Sequence, residues 1–247
     1  MASTSETGHA KNVANFQQLI AVCISYGAAY NPARNQLSIA GLQNLLSQAQ
    51  AALAHLNEAK VTGDAATNNR REAFSTFPKF ATQVVNALGA AGASSLSVND
   101  AKGVLRKIRG KRAKEIKESA TAASALPQPA ETKHISVAQL SYDNKIEHFS
   151  KLISIVQQQT AYHPNEANLT IVSLQAKLDE LNALNNDVIN THTALSNARI
   201  HRTSILYNPS SGLVKIAADV KLYAKSIFGA TSPQYKQLAA VHFLTCL

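Results

Sequence analysis

The sequence predicts an all-α fold, an elongated helical bundle built from two tandem copies of a long-helix unit with Tyr-x-Pro helix corners. Three observations lead there. The 247 residues are 45% hydrophobic, mostly Ala, Leu, Ile and Val, with 10 Gly, 7 Pro and no Trp, a bias toward good helix formers over strand formers. Apolar residues recur at three- and four-residue spacing over long stretches, the signature of amphipathic helices. One line is also written twice, as YNPARNQLSIAGLQNLL from Tyr30 and as YHPNEANLTIVSLQAKL from Tyr162.

Tyr30, Pro32, Leu37, Ile39, Leu42, Gln43 and Leu46 match Tyr162, Pro164, Leu169, Ile171, Leu174, Gln175 and Leu178. Seven identities across 17 positions mark an internal duplication. It extends upstream, where NFQQLIAV from Asn15 pairs with HFSKLISI from His148, and downstream through Arg70 with Arg202 and Phe74 with Tyr207. The expected organisation is a first repeat over 1–118, a linker over 119–134 and a second repeat over 135–247.

Each element follows from its residues. A short helix precedes each Tyr-x-Pro corner. There, proline is expected at the first helical position, where its fixed φ fits and its missing N–H costs nothing. Asn31 is the matching N-cap, and the tyrosine packs across the turn as a staple does. Tyr207-Asn208-Pro209 is a third such corner. After the first corner, Leu42, Leu46, Ala49, Leu53 and Leu56 form a seam, and Gly63 kinks or weakens the helix that carries it. Its counterpart, with Leu174, Leu178, Leu181, Asn185, Val188 and Leu195, is expected to run unbroken from Asn165 to Leu206. Shorter helices follow, carrying Phe80, Val84 and Leu88 in one copy and Leu213, Ile216, Val220 and Ile227 in the other.

Charge is concentrated. The formal net charge is +9, and KGVLRKIRGKRAKEIK, from Lys102 to Lys117, holds eight basic residues against one acidic, or +7. Such a block attracts phosphate backbones, acidic lipids or acidic protein surfaces. Its candidate phosphate contacts are Lys102, Arg106, Lys107, Arg109, Lys111, Arg112, Lys114 and Lys117. No aromatic interrupts it, so stacking on single-stranded bases is not expected. As a membrane-surface helix it would offer Val104, Leu105, Ile108 and Ile116, but without an aromatic anchor and with Gly110 inside it. The plainest reading is a solvated tail that keeps the protein soluble. The Ala-, Ser- and Pro-rich stretch SATAASALPQPAETKH follows as a linker.

The stretches SNARIHRTSILYNPSSGLV from Ser196 and KSIFGATSPQYKQ from Lys225, with GKR at Gly110, resemble a family of uncharacterised bacterial helical proteins with the same duplicated plan. The resemblance implies the architecture across nearly the whole chain. It implies no activity and supplies no site residues.

Catalytic and cofactor patterns are missing. Glu6-x-x-His9 and Glu131-x-x-His134 have di-iron spacing, but lie at the chain start and in the linker rather than on apolar helix faces. His192 and Asn185 fall on the second seam, where a partly buried polar residue sets register. Glycines 89, 92, 103 and 110 form no phosphate loop, and Cys23 has no histidine partner. Asp143 and Glu147 mark a solvated helix start, and Cys23 and Cys246 suggest ordinary thiols. The expectation is a non-enzymatic protein with no cofactor or metal. No secretory signal or membrane-length apolar run is visible, so a cytoplasmic location is expected. Such a protein would act as a self-associating scaffold through protein contacts. The alternative is nucleic-acid binding without sequence preference through the basic segment.

Overall fold

The computed structural model describes residues 8–110 and 140–244, and all regular elements among them are helical. Seven α-helices follow in order: α1 His9–Ser25, α2 Ile39–Ala90, α3 Ser95–Ile108, α4 Tyr142–Gln157, α5 Ile171–Tyr207, α6 Leu213–Phe228 and α7 Pro233–Ala239. The linker 119–134, Glu6, Glu131, His134, Cys246 and Lys111, Arg112, Lys114 and Lys117 lie outside the described residues.

Helix starts are set by hydroxyl caps. Ser94, Ser141 and Ser232 each accept a backbone N–H three residues on, opening α3, α4 and α7. Ser38 and Thr170 do the same for α2 and α5. Each such cap satisfies one donor of the open first turn and contributes about 1 kcal/mol.

The tyrosine corners differ from expectation. Pro32 and Pro164 do not begin a helix. The chain continues through 3-10 turns at Asn35–Leu37 and Ala167–Leu169 before α2 and α5 start, so Asn31 is no N-cap and α5 begins at Ile171 rather than Asn165. The tyrosines explain the detour. The Tyr30 hydroxyl donates to the Leu37 carbonyl at 2.7 Å, and that of Tyr162 to the Leu169 carbonyl at 2.8 Å, both buried. Closing that seven-residue span needs a turn where the sequence suggested helix. A proline does take the first helical position at Pro233 in α7. Tyr30→Phe and Tyr162→Phe should each cost about 1–2 kcal/mol by urea denaturation, because a buried carbonyl loses its donor.

Two glycines allow close backbone approach. A Cβ at Gly41 would stand 2.3 Å from the Asn35 carbonyl oxygen, and one at Gly212 would stand 2.4 Å from the Asn208 nitrogen. The second approach seats α6 against the Asn208 turn, where the Asn208 carboxamide oxygen accepts the backbone N–H groups of Ser210 and Ser211.

α2 is continuous over 52 residues, so neither Gly63 nor Pro78 breaks it and Phe80, Val84 and Leu88 belong to the same helix. An interior proline costs roughly 3 kcal/mol. Here Phe74, Phe77, Ala81, Val84 and Leu88 are buried on both sides of Pro78, and that burial outweighs the cost. The buried stripe of α5 also departs from a strict heptad. It passes from Val188 to Thr191 and Ala198, leaving His192 exposed, because a 3.6-residue turn drifts against a seven-residue repeat.

Two compact units divide the chain. One is drawn from Met1–Asp64 and Asn190–Leu247, the other from Ala65–Ile189. The first holds α1, α6 and α7 with parts of α2 and α5, and its core includes Phe16, Leu19, Leu42, Leu206, Leu213 and Val220. In it, buried Asn12 ties α1 to Tyr207 and to the backbone of Leu244. The second unit holds α3 and α4 with the remaining parts of α2 and α5, around Phe77, Leu88, Phe149, Leu152, Leu174 and Leu181. Each unit therefore takes segments from both sides of 119–134.

Candidate nucleic-acid interface

Four of the eight candidate phosphate contacts are described, and all lie on or at the end of α3. The spacing of Val98, Ala101, Leu105 and Ile108 turns one face of that helix into the core against α4. Lys102, Arg106 and Arg109 recur at four- and three-residue steps on the outward face, with Lys107 beside them, and all four are exposed.

Their electrostatic setting differs from that of four cations elsewhere that hold carboxylates. Elsewhere, Lys151 pairs with Glu147 at 2.7 Å and Lys177 with Glu180 at 2.9 Å. Arg34 and Lys215 both reach Asp219, at 2.8 and 2.6 Å. Burial pushes the Asp219 carboxyl up, but hydrogen bonds from Lys215 and Arg34 outweigh this and hold it below the usual carboxylate range. On α3, by contrast, no basic side chain forms a salt bridge among the described residues, and Lys107 acts on the Glu147 carboxylate of α4 through its charge alone. Arg106 and Lys107 lie in the last turn, where cations complement the negative end of the helix dipole for roughly 0.3–1 kcal/mol each.

On α4, which packs against α3, lies His148, which is 2% exposed and close enough to Lys107 to feel its charge. Neither ring nitrogen has a hydrogen-bond partner. Burial first, and Lys107 second, hold its pKa below the ordinary value. Sequence reading passed over this residue, although its position four before Leu152 and eight before Val156 places it on the apolar stripe of α4.

The other singled-out residues are structural. Asn185 is buried and accepts from Arg70 at 2.8 Å while donating to Asp143 at 2.7 Å. Arg70 also lies over the Tyr142 ring, 4.1 Å from its centroid. Asp143 thus holds a seam residue, which is more than a solvated helix start does. Burial pushes the Cys23 thiol up to about 11, against a hydrogen bond with Tyr30, so the thiolate is scarce at neutral pH. The Glu6 and Glu131 halves of the two Glu-x-x-His patterns lie outside the described residues, while His9 bonds the Tyr207 hydroxyl at 2.8 Å. Among the described residues no three His, Cys, Asp or Glu side chains gather at a metal-binding distance. None of the described helices is long and apolar enough to cross a membrane.

Open cavities are present in both units. One of about 640 Å³ is lined by Arg34, Lys215, Asp219, Tyr223 and Lys225, and one of about 460 Å³ by Gln83, Asn86, His163 and Glu166. Comparison with protein-family models, curated proteins and solved structures finds no match for this chain.

Proposed function

We propose that this protein is a non-enzymatic helical scaffold whose working surface is the cationic face of α3, which takes the phosphate backbone of nucleic acid without sequence preference. The carrying observation is the set Lys102, Arg106, Lys107 and Arg109, exposed and without carboxylate partners among the described residues. Unpaired cations on one face need no rearrangement to meet phosphates, and their binding releases condensed counterions. The chain continues with Lys111, Arg112, Lys114 and Lys117, which extend the charge in sequence. Absence of an aromatic from the segment favours duplex backbone over stacked single-stranded bases.

Fluorescence anisotropy of a random-sequence duplex, titrated at several salt concentrations, tests this reading. Log affinity should fall linearly with log salt. A variant with Lys102, Arg106, Lys107 and Arg109 all changed to Gln should show a slope shallower by about 3 to 4, at −0.9 per lost phosphate contact. Equal slopes for both proteins, or no binding at low salt, would remove the reading.

Self-association is favoured by a different observation. Ile24 and Ile227, near in sequence to the Tyr26 and Phe228 rings that meet at 5.0 Å, are exposed, and Leu222 is exposed on the same helix as Ile227. Light scattering of the wild type beside Leu222→Gln/Ile227→Gln separates the readings. Loss of an oligomer in that variant supports this one, whereas a monomeric wild type eliminates it.

A further inference from the structure

We propose that His148 is a pH-sensitive latch for α3: the neutral ring fills the α3–α4 contact, and once it takes up a proton that contact opens. The proposal concerns how α3 is held and does not depend on what its outer face binds.

The geometry is that of a group tolerated only when uncharged. His148 is 2% exposed in the core of its unit, flanked on α4 by buried Phe149, Leu152 and Ile146. Neither Nδ1 nor Nε2 has a partner. A neutral imidazole leaves one donor and one acceptor unsatisfied. An imidazolium adds a second N–H donor and a full charge where nothing accepts either. A buried histidine of structural purpose is normally anchored through one nitrogen, and this one is held by packing alone.

The charges that act on the ring do not rescue the proton. From α3 it meets Lys107, which opposes a second positive charge. On α4, Lys151 opposes it and Glu147 favours it. Glu147, however, is exposed and already holds Lys151 at 2.7 Å. α2 meets α4 through Phe77 and Phe80 against Phe149 and brings no charge that acts on the ring among the described residues. Desolvation is the largest influence, Lys107 the next, and both lower the folded-state pKa from 6.5.

The sign follows directly. The unfolded or opened state binds the proton more readily than the closed one. The contact is therefore at full strength above pH 6.5 and weakens as pH falls from there through the lowered folded-state pKa.

Hydrogen exchange of the full chain between pH 7.5 and 5.0, corrected for intrinsic exchange rates, reads the opening of α3 directly. The opening equilibrium for amides of Ala101–Ile108 should rise, by up to about tenfold per pH unit, as pH falls from 6.5 to the lowered folded-state pKa in the wild type. In His148→Met, which keeps volume and cannot titrate, it should stay flat. Equal pH dependence in the two proteins would overturn the latch. Should His148→Met fail to fold, an NMR titration of the wild-type His148 Cε1–H decides the matter. A midpoint clearly below 6.5 accompanied by α3 exchange supports the latch, and a midpoint at or above 6.5 refutes it.

Discussion

Phe149→Ala should lower the stability of the unit drawn from Ala65–Ile189 by about 3–5 kcal/mol, the largest loss expected from any single truncation in it. The ring is fully buried. It meets Phe77 edge-to-face at 5.1 Å and Phe80 at 6.1 Å, so it joins α4 to α2 through the aromatic part of the core. Such pairs contribute about 0.5–1.5 kcal/mol each beyond the apolar area they bury. Truncation removes both contacts and opens a cavity that rigid helical neighbours on two sides cannot collapse into. Hydrogen exchange of the 74–88 amides in the wild type and in Phe149→Ala measures the loss region by region. Phe149→Leu should retain well over half of the stability, because it restores most of the volume and forfeits only the ring geometry. A loss below about 1 kcal/mol for Phe149→Ala would mean that α2 and α4 are not held together by this cluster.

Helices were the most legible part of the sequence because burial enforces a period that composition cannot hide. Leu42, Ala49, Leu174, Leu178, Leu181 and Val188 are all buried, as their spacing predicts. The corners misled because proline fixes only its own φ, which a turn accommodates as well as a helix start does. What decides the outcome is the hydroxyl of Tyr30 reaching Leu37, and that of Tyr162 reaching Leu169, contacts invisible in a list of residue types. The break expected before Phe80 failed for a related reason. Local propensity argues against Pro78 within a helix, and tertiary burial on both sides overrules it.

The candidate site was legible in charge and not in pairing. Lys102, Arg106, Lys107 and Arg109 could have faced carboxylates from α4, as Lys151 faces Glu147 on that helix itself. Only the structure shows that the α3 cations form no salt bridge among the described residues, unlike Arg34, Lys151, Lys177 and Lys215. His148 shows the opposite case. Its place on the apolar stripe was readable, but the absence of a partner for either nitrogen depends on the packing around it.

Asn185 carries the second large effect, because it is the uncharged link between two opposite charges. Asn185→Leu should cost about 2–3 kcal/mol despite adding an apolar side chain of similar size. Arg70 Nη1 gives up its bond to the Asn185 carboxamide oxygen, and Asp143 loses the Asn185 Nδ2 donor. Hydrogen bonds to charged groups contribute about 1.5–3 kcal/mol apiece, and burial of the leucine offsets part of that sum. The Arg70 side chain has little freedom to find another partner, since its guanidinium is stacked on Tyr142 and its Nε is already buried without one. A thermodynamic cycle isolates the link. Asp143→Ala should cost about 1 kcal/mol or more in the wild type and close to nothing once Asn185 is leucine. Additive losses would show that water replaces the asparagine at both ends, in which case the polar position in the α5 seam is tolerated without holding α2 and α4 in register.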